Sequence, residues 1–344
     1  MSFDGICIFF DRLQLCEVRI RSFDFWGSLF MENFLFSVNV VMPMFLMLFF
    51  GFIARRMKLI DDDFINKGNK LCFRAIFPVM LFYNIYKTNL GDAFSPRLLI
   101  FAIATTVLAF GLTMLIFPVF VKDRKKVGVM VQAAYRSNFL LFGLPMATLI
   151  LGERASGTAL TLIAIMVPIF NALAVFVLSY YSQDADKVDY KKLLFDIAKN
   201  PLIVSTLIGI CWSLLALPLP SFLDKAMGNI AAVSTPFALM MLGGQFTIAS
   251  SLKNMKYILT SCAVRLLIVP GVALTAAALL GFKDVEIVAL LAMTASPVAV
   301  SSYNMAYYFG LDHELAGELV VMTTGLCIFT IFIFILILKS LALI

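Results

Sequence analysis

The chain has 344 residues, 62% of them hydrophobic and only 14% charged, with a mean hydropathy of +0.97. That is more apolar surface than a soluble core can hide, so a bilayer is the solvent for most of it. The formal net charge of +6 comes from residues flanking apolar segments rather than from one long patch, which argues against nucleic-acid binding.

Residues 1–33 precede the first apolar segment as an N-terminal extension. Asp4, Asp11, Glu17 and Asp24 are interspersed with Arg12, Arg19 and Arg21. Without a basic start and a clean apolar run, the stretch makes a poor signal peptide. Met31 is the expected natural start, with the upstream stretch an artefact.

Ten segments then approach the roughly 20 apolar residues that a membrane helix needs: 34–54, 69–86, 97–121, 129–151, 157–181, 199–217, 222–247, 256–281, 285–308 and 315–338. Asp61-Asp62-Asp63 reads as a solvated loop leading into the second. The chain divides into a first five-helix repeat (34–181), a cytoplasmic linker (182–198), a second repeat (199–338) and a tail (339–344). With the first segment starting outside, 15 Lys and Arg fall in cytoplasmic loops, among them Arg55, Lys122, Arg124, Lys126, Lys191 and Lys253, against six on the other side. That asymmetry predicts a multi-pass plasma-membrane protein with both termini outside.

The halves align through two proline pairs, Pro78 with Pro236 at an offset of 158 and Pro145 with Pro297 at 152. Five spans per half is an odd number, so the second copy enters from the opposite face. Inverted repeats with matching interrupted segments place a solute site near the midplane, as in secondary transporters. Proline removes a backbone donor and clashes with the preceding turn. The fourth and ninth segments are therefore expected to unwind at Pro145 and Pro297, freeing backbone groups that only a lined cavity tolerates. Half-helix N-termini facing the breaks suit an anion, and Gly143 would let backbone approach it closely.

Arg136 is the leading candidate within these segments. It lies seven residues past the start of the fourth segment, roughly 10 Å deep, where a guanidinium costs about 2.5–3.5 kcal/mol on insertion scales. A clamp on a substrate carboxylate would offset that cost; snorkelling to the headgroups is the alternative. Ser137, Asn138, Ser301, Ser302 and Asn304 add donors. Arg265 sits among Val, Leu and Ile and reads as serving helix packing or pairing with backbone, and Gly243-Gly244 as close helix packing. Tyr303, Tyr307 and Tyr308 suit an interfacial aromatic belt, with lining of the inner mouth as the alternative.

Absences narrow the chemistry further. The six cysteines, Cys7, Cys16, Cys72, Cys211, Cys262 and Cys327, lack paired spacing and read as small buried hydrophobes. His313, the one histidine, falls in an expected loop, and no hydrolase, zinc-protease or phosphate-loop motif occurs, so the chain is not read as an enzyme and no cofactor is expected. No Asp or Glu sits mid-segment, Glu318 being the nearest, which makes a carboxylate proton relay hard to build. Uniport driven by the solute gradient and membrane potential, or sodium coupling through carbonyls and hydroxyls, remain as the two drives.

Asn138-Phe-Leu-Leu-Phe-Gly143-Leu144-Pro145, the Pro78 and Pro236 segments, and Ser296-Pro297-Val-Ala-Val-Ser-Ser-Tyr followed by Tyr308-Phe-Gly-Leu-Asp resemble the auxin efflux carrier family. That family comprises bacterial malate and malonate permease-like proteins and plant auxin exporters, and the resemblance covers about residues 32–338. It implies an all-α integral membrane fold similar to bile-acid symporters and sodium/proton antiporters. Its ten helices would form two inverted five-helix repeats, with broken helices 4 and 9 crossing. It further implies a scaffold of helices 1, 2, 6 and 7, a mobile transport domain of the rest, and transport of small organic carboxylates. A homodimer through the scaffold helices is the expected assembly. Arg136, Phe139-Leu140 and Ser301 depart from the usual pattern and leave substrate identity open. A membrane sensor that binds a solute at the same break without moving it is the competing reading.

Overall fold

A computed structural model describes residues 45–87, 95–151, 153–182, 198–215, 217–245 and 253–344, together with positions 42, 43 and 195. The extension 1–33, most of the linker 182–198 and the start of the first segment lie outside the described residues. In chain order the helices are α1 (45–56), α2 (Asp62–Leu71), α3 (Phe77–Tyr86), α4 (Pro96–Phe120), α5 (Arg124–Tyr135), α6 (Leu144–Leu151) and α7 (Glu153–Ser182). There follow α8 (Pro201–Leu214), α9 (Ser221–Gln245), α10 (Met255–Ala263), α11 (Val269–Leu279), α12 (Asp284–Ala295), α13 (Ser301–Tyr308) and α14 (His313–Ser340). Among the described residues the regular structure is all helical. Five helices are long and apolar enough to cross a membrane: Pro96–Phe120, Gly157–Ser182, Ser221–Gln245, Met255–Leu279 and His313–Ser340.

Prolines shape these helices in a recurring way. Cys72–Ile76, Phe139–Gly143 and Val264–Ile268 are π turns, closed by Phe77 N–H to Cys72 O, Leu144 N–H to Phe139 O and Val269 N–H to Val264 O. Each lies just before a proline, Pro78, Pro145 or Pro270. A proline ring collides with the carbonyl four residues back, and the wider turn moves that carbonyl aside. The helix therefore continues through α2–α3 and α10–α11 instead of breaking. Pro145 likewise sits inside the start of α6, so the expected unwinding at Pro145 is corrected: the chain unwinds earlier, at Arg136–Asn138.

Capping residues fix several helix starts. Asp61 accepts from Phe64 N at 2.8 Å, so the acidic run begins a helix instead of merely forming a loop. Asp123 accepts from Lys125 N at 3.0 Å, which starts α5 at Arg124, earlier than the apolar pattern suggests. The basic residues taken into this first turn lie on aromatic rings, Arg124 over Tyr180 and Tyr181 and Lys126 over Tyr257.

Two helices are buried all round, α5 from Val127 to Tyr135 and α12 from Ile287 to Ala295. Helices apolar on every face belong in an interior. They are packed by α4, α7, α10–α11 and α14, while α4 turns Leu108, Leu112, Leu115 and Val119 outward. Beside this group α3 packs on α8 and α9, and α9 on α1. Backbones of α1 and α9 touch: a Cβ on Gly243 would stand 1.9 Å from Leu48 O, and one on Gly51 2.1 Å from Met240 O. Small residues allow such approach where no hydrophobic effect drives association. Of the cysteines, Cys72, Cys262 and Cys327 are buried, whereas Cys211 on α8 is exposed, correcting its reading as buried.

Gly243→Ala should force α1 and α9 apart. A loss of about 1–3 kcal/mol, typical of overpacking, is expected in the thermal or denaturant unfolding of the purified protein. Gly111→Ala, inside α4 where a Cβ meets open space, is the control expected to cause no loss of stability.

Candidate functional site

The interrupted segments meet at their gaps. Ser296 precedes proline and is held extended (φ −62°, ψ 151°), as the proline ring requires. Arg136 is also extended (φ −78°, ψ 109°) where α5 ends. The two extended stretches pair antiparallel at Ser137 and Val298. Asn138 N–H donates to Pro297 O at 2.8 Å, Ala299 N–H to Arg136 O at 3.4 Å, and Val298 N–H to Thr323 Oγ1 at 3.1 Å. Backbone groups freed by unwinding are thus satisfied by one another, as a site inside a membrane demands.

Four helix ends converge on this crossing. On the side where α5 and α12 finish, Arg265 donates to Ser296 O at 2.7 and 3.0 Å, Tyr135 O and Met293 O at 3.3 Å, and Ala134 O at 3.5 Å. On the side where the π turn of α6 and then α13 begin, Arg136 donates through Nη2 to Asn171 Oδ1 at 2.7 Å and Ser301 Oγ at 2.8 Å, while Nη1 meets Met305 Sδ. Arg136 is 4% exposed and Arg265 1%. Arg136 lies 12 residues past Arg124, roughly 18 Å along the helix, deeper than the sequence pattern suggested and directed inward instead of snorkelling.

Arg136 lines a cavity of about 70 Å³ together with Ser137, Asn138, Asn171, Thr235 and Ser301, walled by Phe77, Met80, Phe139 and Phe170. Three buried donors there, Ser137 Oγ, Asn138 Nδ2 and Asn171 Nδ2, make no hydrogen bond to protein. Because Asn171 accepts from Arg136 through its oxygen, its nitrogen is left pointing away as a donor. Buried polar atoms without partners cost free energy, and here they cluster around one guanidinium. Met80, Leu140, Leu141 and Thr235 also line a second cavity of about 510 Å³, which continues past Tyr83, Asn84 and Gly228. Near that mouth Lys87 bonds Asp224 at 2.7 Å, which raises the Lys87 pKa.

Toward the opposite, Lys-rich end a network of hydrogen bonds joins α2 and α9 to α13. Asn304 Nδ2 donates to Asn69 Oδ1 at 2.7 Å, and Asn69 Nδ2 to Tyr303 OH at 3.1 Å. Tyr303 OH donates to Gln245 Oε1, Tyr307 OH to Asn66 Oδ1, and Gln245 Nε2 lies 2.8 Å from His313 Nε2. Asn66 and Asn69 lie on α2 and Gln245 on α9, whereas Tyr303, Asn304 and Tyr307 lie on α13. His313 opens α14, so its expected place in a loop is corrected, and Tyr303 and Tyr307 hold this network instead of an interfacial belt.

Of the residues singled out in the sequence, Arg136, Ser137, Asn138 and Ser301 line the cavity and Pro297 forms the crossing. Gly143 serves helix packing, since a Cβ there would stand 2.6 Å from Ala292 O; Pro145 is exposed, away from the lining. Ser302 is buried behind the lining, and Asn304 belongs to the network. Asn171, Asn69 and Thr235 were missed. A lone amide three residues after Pro168, within an apolar span, was the available signal for Asn171.

The sequence pattern of the membrane transport protein family matches residues 36–335. The chain belongs to this family. It is the family of auxin efflux and malate permease-like proteins that the motifs resemble. An uncharacterized transporter of Methanocaldococcus jannaschii is 21% identical over 297 residues, which cover 83% of this chain and 94% of that protein. A multi-pass membrane transporter thus carries the crossing and the cavity described above.

If the α2–α9–α13 network closes one end of this transporter, access to the cavity is one-sided in the arrangement seen. In a cysteine-depleted background, Ser137→Cys should react with a membrane-impermeant thiol reagent from the Lys87–Asp224 end only. Adding Asn69→Ala and Tyr303→Phe should open reaction from the Lys126–Asp312 end. Labelling in vesicles of the two orientations measures both.

Proposed function

We propose that the chain is a secondary carrier of small organic anions of the malate, malonate or auxin-like carboxylate kind, working by alternating access. The observation that carries this reading is the cluster of unpaired buried donors, Ser137, Asn138 and Asn171, around the Arg136 guanidinium. A carboxylate has two acceptor oxygens and one negative charge, which is the complement of that set. The α13 N-terminus adds positive partial charge on the same side. The Arg136 guanidinium is met by an amide, a hydroxyl and a thioether and by no carboxylate, so its charge is left for an entering anion to balance.

The architecture under this proposal is ten spans in two inverted five-helix repeats, with the fourth and ninth broken. Helices α1, α2–α3, α8 and α9 would be the static part, and the helices packed around α5 and α12 the moving part. Substrate would enter through the larger vestibule, whose Met47, Met80, Leu140, Leu141 and Leu239 suit an apolar body behind the carboxylate. Breaking the Asn66, Asn69 and Gln245 bonds to α13 would then expose the cavity to the Lys-rich face, cytoplasmic by the charge asymmetry. A monoanion crossing 100 mV gains or loses about 2.3 kcal/mol, enough to drive useful flux unaided.

Reconstitution in liposomes tests the proposal. Wild-type protein should carry labelled malonate or an indole carboxylate down its gradient. Arg136→Ala removes charge-assisted bonds of about 1.5–3 kcal/mol, so uptake at subsaturating substrate should fall roughly ten- to hundredfold. Asn171→Ala should lower it less, because one neutral bond and the Arg136 tether are lost. Saturable binding without flux in the wild type would instead make the chain a sensor.

A further inference from the structure

Among the described residues Arg265 is the largest fully buried side chain, and it plays no part in the Arg136 cavity. Its guanidinium gathers four backbone carbonyls, Ala134, Tyr135, Met293 and Ser296, from two separate broken segments. These belong to the C-terminal ends of α5 and α12 and the residue just beyond. Each helix C-terminus carries about half a negative charge, so together they match the single positive charge of the guanidinium. A ring of carbonyl oxygens at paired helix C-termini is otherwise what a hard cation such as sodium selects.

We infer that Arg265 is a resident cation, holding the place where a coupling sodium ion would neutralise the two helix ends, so that this protein moves its anion without a sodium partner. The inference rests on the anion-carrier reading for its transport consequence, but not for the occupancy itself. Sodium added beside Arg265 would find the carbonyls taken and a second positive charge at short range in a low-dielectric interior. Space is lacking too, since the cavity against Arg265, lined by Thr105, Thr106, Tyr135 and Thr294, holds about 10 Å³, room for one water at most. Arg265 thereby acts as a positioning residue, fixing the crossing while Arg136 and its neighbours meet the solute.

The test uses the purified full-length protein. Its thermal midpoint should be the same in sodium, potassium and choline chloride at equal ionic strength, and malonate uptake into liposomes should be unchanged when choline replaces sodium on both sides. Arg265→Ala should lower the midpoint, and low millimolar guanidinium should restore it saturably where choline does not. Arg265→Lys, which keeps the charge, should fall between the two and serves if Arg265→Ala does not fold. A saturable, sodium-specific rise of the wild-type midpoint, or wild-type uptake that follows an imposed sodium gradient, would overturn the inference. So would an Arg265→Ala protein as stable as wild type and indifferent to guanidinium. Absence of malonate flux in every salt would count against the carrier reading alone, because the thermal measurements decide the occupancy of Arg265 without it.

Discussion

An interrupted helix inside a bilayer has nowhere to send its free backbone groups except to other protein groups. The architecture around the cavity follows from how this chain meets that demand. Arg136–Asn138 and Ser296–Ala299 are each other's partners, joined by a short antiparallel bridge, and neither stretch could be unwound alone without stranding donors and acceptors. Thr323 supplies the one further donor–acceptor contact that the Val298 amide requires. Close approach of the segments needs Gly143, whose missing Cβ leaves room for the Ala292 carbonyl. Bridge, glycine and threonine form one unit, and the helices around it are arranged to keep it dry.

Charge divides that unit into two unlike faces. Where α5 and α12 end, partial negative charge accumulates and Arg265 cancels it through five hydrogen-bond contacts, leaving a saturated, closed surface. On the face where α13 begins, Arg136 is added to positive charge instead of cancelling negative charge, and its partners are a neutral amide, a hydroxyl and a thioether. Two chemically identical side chains at the same crossing therefore have different consequences. One completes a backbone site; the other leaves a deficit that an anion can fill.

How much of this was legible in the sequence depended on whether a residue's role came from its own chemistry or from its neighbours. A guanidinium in an apolar segment announces itself wherever it lies, so Arg136 and the pairing of Arg265 with backbone could be read directly, as could the gap at Pro297. The Gly243-Gly244 packing was likewise visible, because only close backbones need such a pair in a membrane helix. Pro145 misled because a proline need not break the helix that holds it: Pro118, Pro168 and Pro236 also sit inside continuous helices. At Pro145 the π turn at Phe139–Gly143 absorbs the clash, and the break falls instead at Arg136–Asn138, whose backbone pairs with Pro297 and Ala299. Asn171 escaped notice since a single amide in a long apolar span gains meaning only from the arginine it faces, 35 residues away in the chain.

The energetic contrast between the two tied regions bears on which of them can move. At the crossing, Arg265 contributes several charge-assisted bonds, each about 1.5–3 kcal/mol and all lost together if the halves separate. The network joining α2 and α9 to α13 is built from amide and phenol groups, in the pairs Asn69–Tyr303, Asn304–Asn69, Tyr303–Gln245 and Tyr307–Asn66. Neutral bonds of this kind net about 0.5–1.5 kcal/mol each, and all their groups can turn to water when the end opens. Opening there exchanges protein partners for solvent at a cost of a few kcal/mol, within reach of the differential binding that shifts a two-state equilibrium. Separating the crossing would strand a guanidinium and four carbonyls out of water's reach. Under the proposed cycle, motion therefore runs between α13 and the α2–α9 pair, with the bridge and its arginine carried along intact.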